Sequence, residues 1–454
     1  MSLRETLDRT PMTRFQIMVV TLCLIMNIIE GFDILVMSFA ASGVAAEWHL
    51  SGSQIGLLLS SSLIGMALGS AALSPLADRI GRRPLTLWGL SIATIGMIAS
   101  AMAAEFAQLG LCRLLTGLGV GAVMGCLPVI INEYSSRRGR GTATAFFALG
   151  LPLGGVIGGS IAALVTAQYG WRATFALGAV LSVVTVIAMF RLLPESLDHL
   201  LSRRPAGALA AVNHLLARMH IEPLTELPAP TPAATRKIGF AVLRGRNGVR
   251  SILLWVGFSS LLGSLYFASG WTPRLLEQGG LTAQQGISGG ILLNLGGVAG
   301  TLLITALALR LSSTVLSVVT MAGAGVAFIL MTLSLGTLSA TMIAAVAVGL
   351  FLNANGAVMY AIAPSLYPAA VRTTAVGWAI AVGRLGAIVA PLLAGVLVDQ
   401  GWTGGSLFGL FAVVLLVAAT AMLALGRIEP STPSEPGARS TDRPDATVED
   451  PVGT

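Results

Sequence analysis

The sequence predicts an all-α membrane protein in which twelve transmembrane helices form two pseudo-symmetric six-helix bundles. Three observations predict this class: apolar runs of membrane-spanning length, basic residues in alternate connections, and short patterns that recur at a constant offset. Of the 454 residues, 55% are hydrophobic and 10% are charged, whereas soluble domains carry about 25% charged residues. Many runs reach about 20 apolar residues, the length that crosses a hydrocarbon core about 30 Å thick. A lipid bilayer is therefore the expected environment of this chain.

The twelve spans follow from the apolar runs and from the turn and charge signals between them. The first six are predicted at 15–39, 54–76, 84–104, 107–131, 142–166 and 173–193. The other six are predicted at 249–270, 284–309, 312–334, 338–363, 374–398 and 405–426. The expected organisation is a cytoplasmic N-terminus (1–14), an N-terminal bundle (15–193), a cytoplasmic linker (194–248), a C-terminal bundle (249–426) and a disordered cytoplasmic tail (427–454).

Basic residues occupy every second connection between the spans. These connections contain Arg79, Arg82, Arg83, Arg137, Arg138, Arg140, Arg310 and Arg372. The opposite connections offer only Arg172 and Arg274. Because loops rich in Lys and Arg stay in the cytoplasm, we expect a multi-pass protein of the inner cell membrane with both termini cytoplasmic. The net charge of +7 lies in these short loops and not along one stripe, which argues against a nucleic-acid partner.

Several kinds of chemistry have no motif in this sequence. No Walker loop is present, and no cluster of residues has the spacing of a metal site. Cys23, Cys112 and Cys126 lie in apolar segments without paired spacing. We therefore predict neither a metal nor a cofactor, and no enzymatic activity.

The two halves of the chain repeat short patterns. The run LSGSQ at 50–54 returns as LTAQQ at 281–285, and Gly-Trp at 170–171 returns at 401–402, so both pairs are offset by 231 residues (281 − 50 and 401 − 170). A Ser or Thr followed three residues later by Gln forms a capping box at the start of a helix. Two matches at one offset predict parallel six-span repeats with a site between them.

The loop after the second span reads SPLADRIGRRP at 74–84, which resembles the signature loop of the major facilitator superfamily, with Ser74 where the family usually has Gly. The run EGFD at 30–33 is similar to the acidic motif of the aromatic acid:proton symporter family, with Glu30 in place of Asp. PES at 194–196 and GRLG at 383–386 extend this likeness. The resemblance implies a major facilitator fold and proton-coupled uptake of a small organic anion by alternating access. The expected substrate is an aromatic carboxylate of the benzoate or hydroxybenzoate type, as in aromatic hydrocarbon catabolism, and the expected state is a monomer.

Two acidic residues lie in the first span, where a charge costs on the order of 2.5–3.5 kcal/mol. Asn27, Glu30 and Asp33 follow one another at steps of three, so they share a helix face. Two neighbouring carboxylates resist double ionisation, which makes Glu30 and Asp33 candidates for carrying the proton. Arg113 opens RLLTGLGVG at 113–121, which resembles the arginine motif of the superfamily and implies a role in coupling. The alternatives are a structural ion pair between one acid and Arg113, an acid at the wet end of its span, or an interfacial Arg113.

Arg384 lies near the middle of the eleventh span and has no acidic neighbour in its own helix. Because a guanidinium can bind a carboxylate through two hydrogen bonds, Arg384 is the predicted anchor of the substrate. Pairing with Glu30 or Asp33 is the competing interpretation. The other candidates for substrate binding supply a ring or hydrogen bonds, and they are Trp378, Asn294, Asn353, Asn355 and Tyr360.

The charged loop after the second span is interpreted as a conformational latch, because the resemblance implies that this loop pairs with helix ends in one state and releases them in the other. Its predicted members are Asp78, Arg79, Arg82, Arg83, Glu133 and Arg137. The simpler alternative is that these arginines serve only the positive-inside rule.

Two other functions stay open. The fifth span contains GLPLGGVIGG at 150–159, which is similar to a glycine-proline motif of drug antiporters and favours a proton-coupled exporter. The paired acids of the first span and Arg384 argue against a cationic drug. A membrane sensor without transport is the third interpretation, although neither the linker nor the tail resembles a signalling domain.

Overall fold

The computed structural model of this chain describes residues 3–228, 246–308, 310–367 and 369–428. Residues 229–245 of the predicted linker and 429–454 of the predicted tail lie outside the described residues. Among the described residues, twelve helical segments are long and apolar enough to cross a membrane, and no residue is in a β-strand. The predicted all-α fold with twelve spans is therefore confirmed.

The helices follow the predicted order of spans. The first half contains α1 (Leu3–Arg9), α2 (Arg14–Trp48), α3 (Gly52–Ala72), α4 (Ala77–Ile80), α5 (Arg82–Ala101), α6 (Phe106–Met124), α7 (Leu127–Tyr134), α8 (Arg137–Tyr169) and α9 (Trp171–Leu192). Two short helices follow, α10 (Leu197–Arg203) and α11 (Ala208–Arg218). The second half contains α12 (Arg246–Gln278), α13 (Ala283–Leu307), α14 (Ser313–Ser334), α15 (Leu338–Ser365), α16 (Ala369–Asp399) and α17 (Gly404–Arg427). The second span joins α3 to α4, and the fourth joins α6 to α7.

Two spans end well beyond their predicted last residues. The first continues from the predicted end at residue 39 to Trp48, because the small residues after Phe39 remain helical until His49 takes a left-handed φ of 50°. The seventh continues from the predicted end at residue 270 to Gln278, and it passes through Pro273 without ending.

The helix starts confirm the repeat. Capping boxes are present at Ser51 with Gln54 and at Thr282 with Gln285, as predicted. A third capping box, formed by Thr13 and Gln16, opens the first span. Gly170 and Gly401, which precede the repeated tryptophans, have φ angles of 77° and 87°, a region in which glycine carries no steric cost.

Glycines related by the same offset allow close helix packing inside each half. A Cβ on Gly65 or Gly69 of α3 would lie 2.1 Å from a carbonyl oxygen of α6. A Cβ on Gly296 or Gly300 of α13 would lie 2.0 Å from a carbonyl oxygen of α15. These glycines are related by 231 residues (296 − 65 and 300 − 69). Small residues allow close contact of helix backbones within a membrane, and both halves use them at equivalent positions.

The halves meet along three helix pairs: α3 with α16, α8 with α13, and α2 with α12. Ser38 of α2 donates from Oγ to the carbonyl oxygens of Ser269 and Gly270 of α12, both at 2.8 Å. At the end of the bundle where α3 begins, the Asp399 carboxylate accepts from the backbone N–H groups of Gly52 (2.6 Å) and Ser53 (2.8 Å). The halves are thus joined at this end.

The opposite end is covered by short helices that pack on the N-terminal half. Leu7 of α1, Leu197 of α10, and Val212 and Leu216 of α11 are buried in one apolar cluster with Phe15 of α2. The beginning of the predicted linker therefore packs against the first bundle.

Candidate functional site

Two small cavities lie between the halves and share Tyr266 of α12. The first, of about 60 Å³, is lined by Leu63, Met66, Met124, Leu262, Tyr266, Tyr360, Arg384 and Ala387. The second, of about 20 Å³, is lined by Gly31, Ile34, Leu35, Leu151, Leu265, Tyr266, Ser269, Asn294 and Asn353. Ligand pockets usually hold about 300–1,000 Å³, so a ring-sized substrate requires the halves to separate.

Arg384 projects from α16 into the first cavity and contacts the other half of the protein. Its Nη1 donates to Oγ of Ser70 on α3, and its Nη2 lies 3.8 Å from Sδ of Met124 on α6. Both partners are neutral, and a thioether is a weak acceptor. The guanidinium therefore has the capacity to exchange these contacts for a carboxylate, its strongest class of hydrogen-bond partner.

Glu30 and Asp33 lie in the interior of the protein on α2, with only 1% and 4% of their surfaces exposed. Oε1 of Glu30 and Oδ1 of Asp33 are buried without a hydrogen-bond partner among the described residues. Glu30 is within electrostatic range of Asp33 and Arg384, and Asp33 is within range of Arg113. Among the described residues, neither acid forms an ion pair within 4.0 Å. A buried carboxylate without such partners is costly as an anion.

Arg113 of α6 is enclosed within the N-terminal half and is not an interfacial side chain. It is fully buried, and its Nη2 donates to Oγ of Ser100 (3.1 Å) and Oγ1 of Thr116 (2.8 Å). Its Nε also donates to Ser100 at 3.1 Å, and its guanidinium lies 4.9 Å from the centre of the Phe175 ring. Toward Asp33 it contacts the backbone carbonyl oxygen, at 3.5 Å.

The structure brings only some of the predicted substrate residues to the cavities. Tyr360 lines the first cavity, whereas Asn294 and Asn353 line the second. Asn355 is fully buried and donates from Nδ2 to the carbonyl oxygen of Ser317 on α14 at 3.1 Å. Trp378 is 46% exposed, stacks on Trp255 with ring centres 6.0 Å apart, and lines neither cavity.

The predicted latch residues comprise a largely buried ion pair, the partly exposed Arg83 and three exposed residues. Arg82 forms an ion pair with Glu133 of α7 and donates from Nη1 to Oγ of Ser196 at 2.7 Å. The backbone N–H groups of Arg82 and Arg83 donate to Oε1 of Glu195 at 2.9 and 3.1 Å. The side chains of Asp78, Arg79 and Arg137 are exposed.

Three residues of this arrangement were not among the predicted site residues. Tyr266 borders both cavities, and Ser70 contacts Arg384 across the halves. A serine within an apolar span carries no signal of such a contact. Glu195 accepts from the backbone N–H of Arg82 in the latch. Its position in the PES motif was a signal that could have identified it.

The glycine-rich part of the fifth span has a packing role. A Cβ on Gly154 of α8 would lie 2.0 Å from the carbonyl oxygen of Ile28, and a Cβ on Gly31 of α2 would lie 2.2 Å from that of Leu151. These glycines therefore allow α2 and α8 to touch along their backbones. Glu30 and Asp33 flank this contact on α2 and are buried.

Comparisons of this chain with protein-family models and with known proteins both find membrane transporters. A protein-family model described as "Major Facilitator Superfamily" matches residues 23–346 and 316–449 of this chain. The chain is 29% identical to a gallate transporter of Pseudomonas putida (93% of this chain, 94% of that protein). It is 30% identical to a 3-(3-hydroxy-phenyl)propionate transporter of Escherichia coli strain K12 (93% and 98%).

The fold is also that of a solved transporter. The xylose transporter XylE from E. coli, in a partially occluded inward open conformation, matches with a TM-score of 0.73 at 16% identity, covering 91% of this chain and 98% of that one. At this identity the likeness concerns the fold alone.

Proposed function

Since this chain belongs to the Major Facilitator Superfamily and is similar over nearly its whole length to aromatic acid transporters, we propose that it is a proton-coupled importer of an aromatic carboxylate. It is a multi-pass membrane transporter and not an enzyme. The single observation that carries the proposal is Arg384, which reaches across the interface between the halves within electrostatic range of the buried Glu30, whose Oε1 has no hydrogen-bond partner among the described residues.

The carboxylate of the substrate binds Arg384. It replaces the contacts to the uncharged Ser70 and Met124 with two parallel hydrogen bonds in which both donor and acceptor are charged. The apolar lining of the first cavity, which includes Leu63, Met66 and Leu262, receives the ring. Tyr360 borders the same space and contributes a ring and a hydroxyl.

The proton binds the acids of α2. When Glu30 is an anion it competes with the substrate for Arg384, with which it interacts electrostatically. Protonation of Glu30 removes that competition, so proton and carboxylate favour the same state. Asp33 and Arg113 form the second, inner part of the coupling site.

Alternating access then follows from the two bundles, residues 15–193 and 249–426, which move as the two bodies of a monomer. Under the positive-inside orientation, the end closed by Asp399 and Gly52 faces outward and must open for uptake. The latch of Asp78, Arg79, Arg82, Arg83, Glu133 and Arg137 acts at the cytoplasmic end.

The test is uptake of radiolabelled benzoate, 4-hydroxybenzoate and hexanoate into proteoliposomes, with the outside acidic or at equal pH. We expect accumulation of an aromatic acid above equilibrium only with the gradient, and its loss with a protonophore. Equilibration without a gradient effect would keep transport but remove coupling. Gradient-driven movement of a lipophilic cation without acid uptake would instead favour the exporter, and movement of neither would favour the sensor.

A further inference from the structure

We propose that Asn294 and Asn353 accept a hydrogen bond from a ring hydroxyl of the substrate, so that this transporter selects aromatic acids hydroxylated at the meta or para position. This inference rests on the proposed function, because Arg384 must hold the carboxylate. It adds a second recognition point at the other end of the ring.

The orientation of both amides follows from their backbone contacts. Asn294 donates from Nδ2 to the carbonyl oxygen of Gly290 at 2.8 Å, and Asn353 donates from Nδ2 to that of Gly349 at 3.0 Å. A carbonyl oxygen accepts only from a donor, so each Nδ2 must face its own helix. The Oδ1 atom of each amide is left as an acceptor, and a phenol hydroxyl is a donor.

The surroundings of these amides are largely apolar, so a buried hydroxyl there needs a hydrogen-bond acceptor. Ile34, Leu35, Leu151 and Leu265 line the same cavity and offer no acceptor to a hydroxyl. A hydroxyl enclosed there without a partner would lose its hydrogen bonds to water, whereas a hydroxyl next to an amide oxygen regains one. Tyr266 and Ser269 add hydroxyls to this lining, but a hydroxyl is also a donor, whereas each Oδ1 atom is an acceptor only and suits a buried phenol group.

Two glycines leave the space that the amide side chains occupy. A Cβ on Gly155 of α8 would lie 2.5 Å from Oδ1 of Asn294, and a Cβ on Gly297 of α13 would lie 2.5 Å from Nδ2 of Asn353. Both contacts are possible only because these positions lack side chains. Asn355 differs, because its Oδ1 is enclosed without a partner in the described part of the chain, away from the cavity.

Tyr266 lies between the two recognition points. Arg384 lines only the first cavity and the amides line only the second, whereas Tyr266 forms part of both walls. A substrate ring that lies along Tyr266 directs its carboxylate toward Arg384 and its far side toward the amides. A hydroxyl next to the carboxylate stays at the Arg384 end and does not reach them.

The first experiment uses the full-length protein in proteoliposomes and measures inhibition of 4-hydroxybenzoate uptake by a series of benzoates. We expect 3- or 4-hydroxybenzoate to bind about fivefold tighter than benzoate, the effect of one net hydrogen bond. We expect 2-hydroxybenzoate and 4-methoxybenzoate to show no gain over benzoate, since the first places its donor wrongly and the second has none.

The second experiment repeats the series with Asn294→Leu and Asn353→Leu. Each change should reduce the ratio between the affinities for the hydroxylated acid and for benzoate, because the two amide oxygens share the single hydrogen bond that the hydroxyl donates. Asn132→Leu is the matched control, since Asn132 makes the same kind of contact, from Nδ2 to the carbonyl oxygen of Pro128 at 2.9 Å, but is exposed outside the cavities.

The outcomes separate the two proposals. Equal binding of benzoate and its hydroxylated forms, or a full preference in both leucine variants, would overturn the inference while the proposed function stands. Absence of any aromatic acid transport by the wild-type protein would remove both. If a leucine variant does not fold, the wild-type series alone decides, because it compares a donor with its methyl ether.

Discussion

Arg113 and Arg384 are both arginines in the interior of membrane-spanning helices, yet their surroundings differ. Arg113 is fully buried and is held by Ser100, Thr116 and the Phe175 ring, all within the N-terminal half. Arg384 belongs to the C-terminal half, and its contacts, Ser70 and Met124, belong to the other half. Arg113 can keep its partners when the halves separate, whereas Arg384 cannot.

This difference assigns different work to two cations of the same chemistry. A guanidinium whose donors are satisfied by its own bundle stabilises that bundle. It also keeps a positive charge at a constant position relative to Asp33. A guanidinium whose partners lie across the interface changes partners with each conformational change, and it is free to select a substrate carboxylate in one state. Substitutions at the two sites should therefore affect different measurable quantities.

The largest effect is expected at Arg384. Arg384→Ala should reduce the affinity for an aromatic carboxylate on the order of 100-fold, because it removes two hydrogen bonds to a charged group. The affinity is measured as the concentration of acid that half-saturates exchange in proteoliposomes. Arg310→Ala is the control, since Arg310 is exposed. This substitution should leave the affinity for the carboxylate unchanged. Unaltered affinity in Arg384→Ala would exclude this arginine as the anchor.

The next effect concerns coupling at Glu30. Glu30→Gln keeps the shape of the side chain but cannot release a proton, so uptake should no longer respond to a pH gradient while substrate exchange at equal pH persists. Gradient-driven accumulation and exchange are compared in the same vesicles. Accumulation at the wild-type level would remove Glu30 from the proton pathway.

Asp33 provides the corresponding test on the Arg113 side. Asp33→Asn should also abolish uphill accumulation, yet it should leave the affinity of Arg384 for the carboxylate within about threefold, because Asp33 interacts with Arg113 and not across the interface. Equilibrium binding at pH 6 and pH 8 distinguishes coupling from affinity. If Asp33→Asn instead weakens carboxylate binding as strongly as Arg384→Ala, the separation of the two arginines is wrong.

The smallest effects come from a matched pair of serines. Ser100→Ala removes the hydroxyl that accepts from Arg113 and should lower the free energy of unfolding by about 1.5–3 kcal/mol, the usual worth of a hydrogen bond to a charged group. Ser70→Ala removes the hydroxyl that contacts Arg384 and should alter stability by less than about 1 kcal/mol, because the half-buried guanidinium reaches water or substrate instead. Thermal unfolding in detergent ranks the two. Equal destabilisation would mean that Arg384 is as fixed as Arg113.

Much of the fold was predictable because a bilayer imposes strict local rules. Span length, the basic loops and the capping boxes at Ser51 and Thr282 each depend on a few neighbouring residues. The end of the first span was predicted wrongly at residue 39, since the small residues that follow Phe39 weaken the apolar signal. In the structure that stretch packs on Trp171 of α9, which Gly43 and Trp48 both contact, and it stays helical to Trp48.

The candidate site was predictable in its charges but not in its contacts. Glu30, Asp33, Arg113 and Arg384 were identified because a charge in hydrocarbon is costly and needs a reason. Ser70 and the position of Tyr266 between the cavities were not, because an aromatic or hydroxyl residue in a span is common and its neighbours come from distant parts of the chain.

The amino-acid sequence by itself determined the class of protein, the number of spans, the repeat and the charged residues, since each depends on local composition and periodicity. Only the tertiary structure decided which partner each charge receives. Arg113 is 80 residues from Asp33, and Arg384 is 314 residues from Ser70. Such contacts arise from how the helices pack, which no local pattern encodes. The same packing decides that one arginine is held within a single half and the other lies between the two.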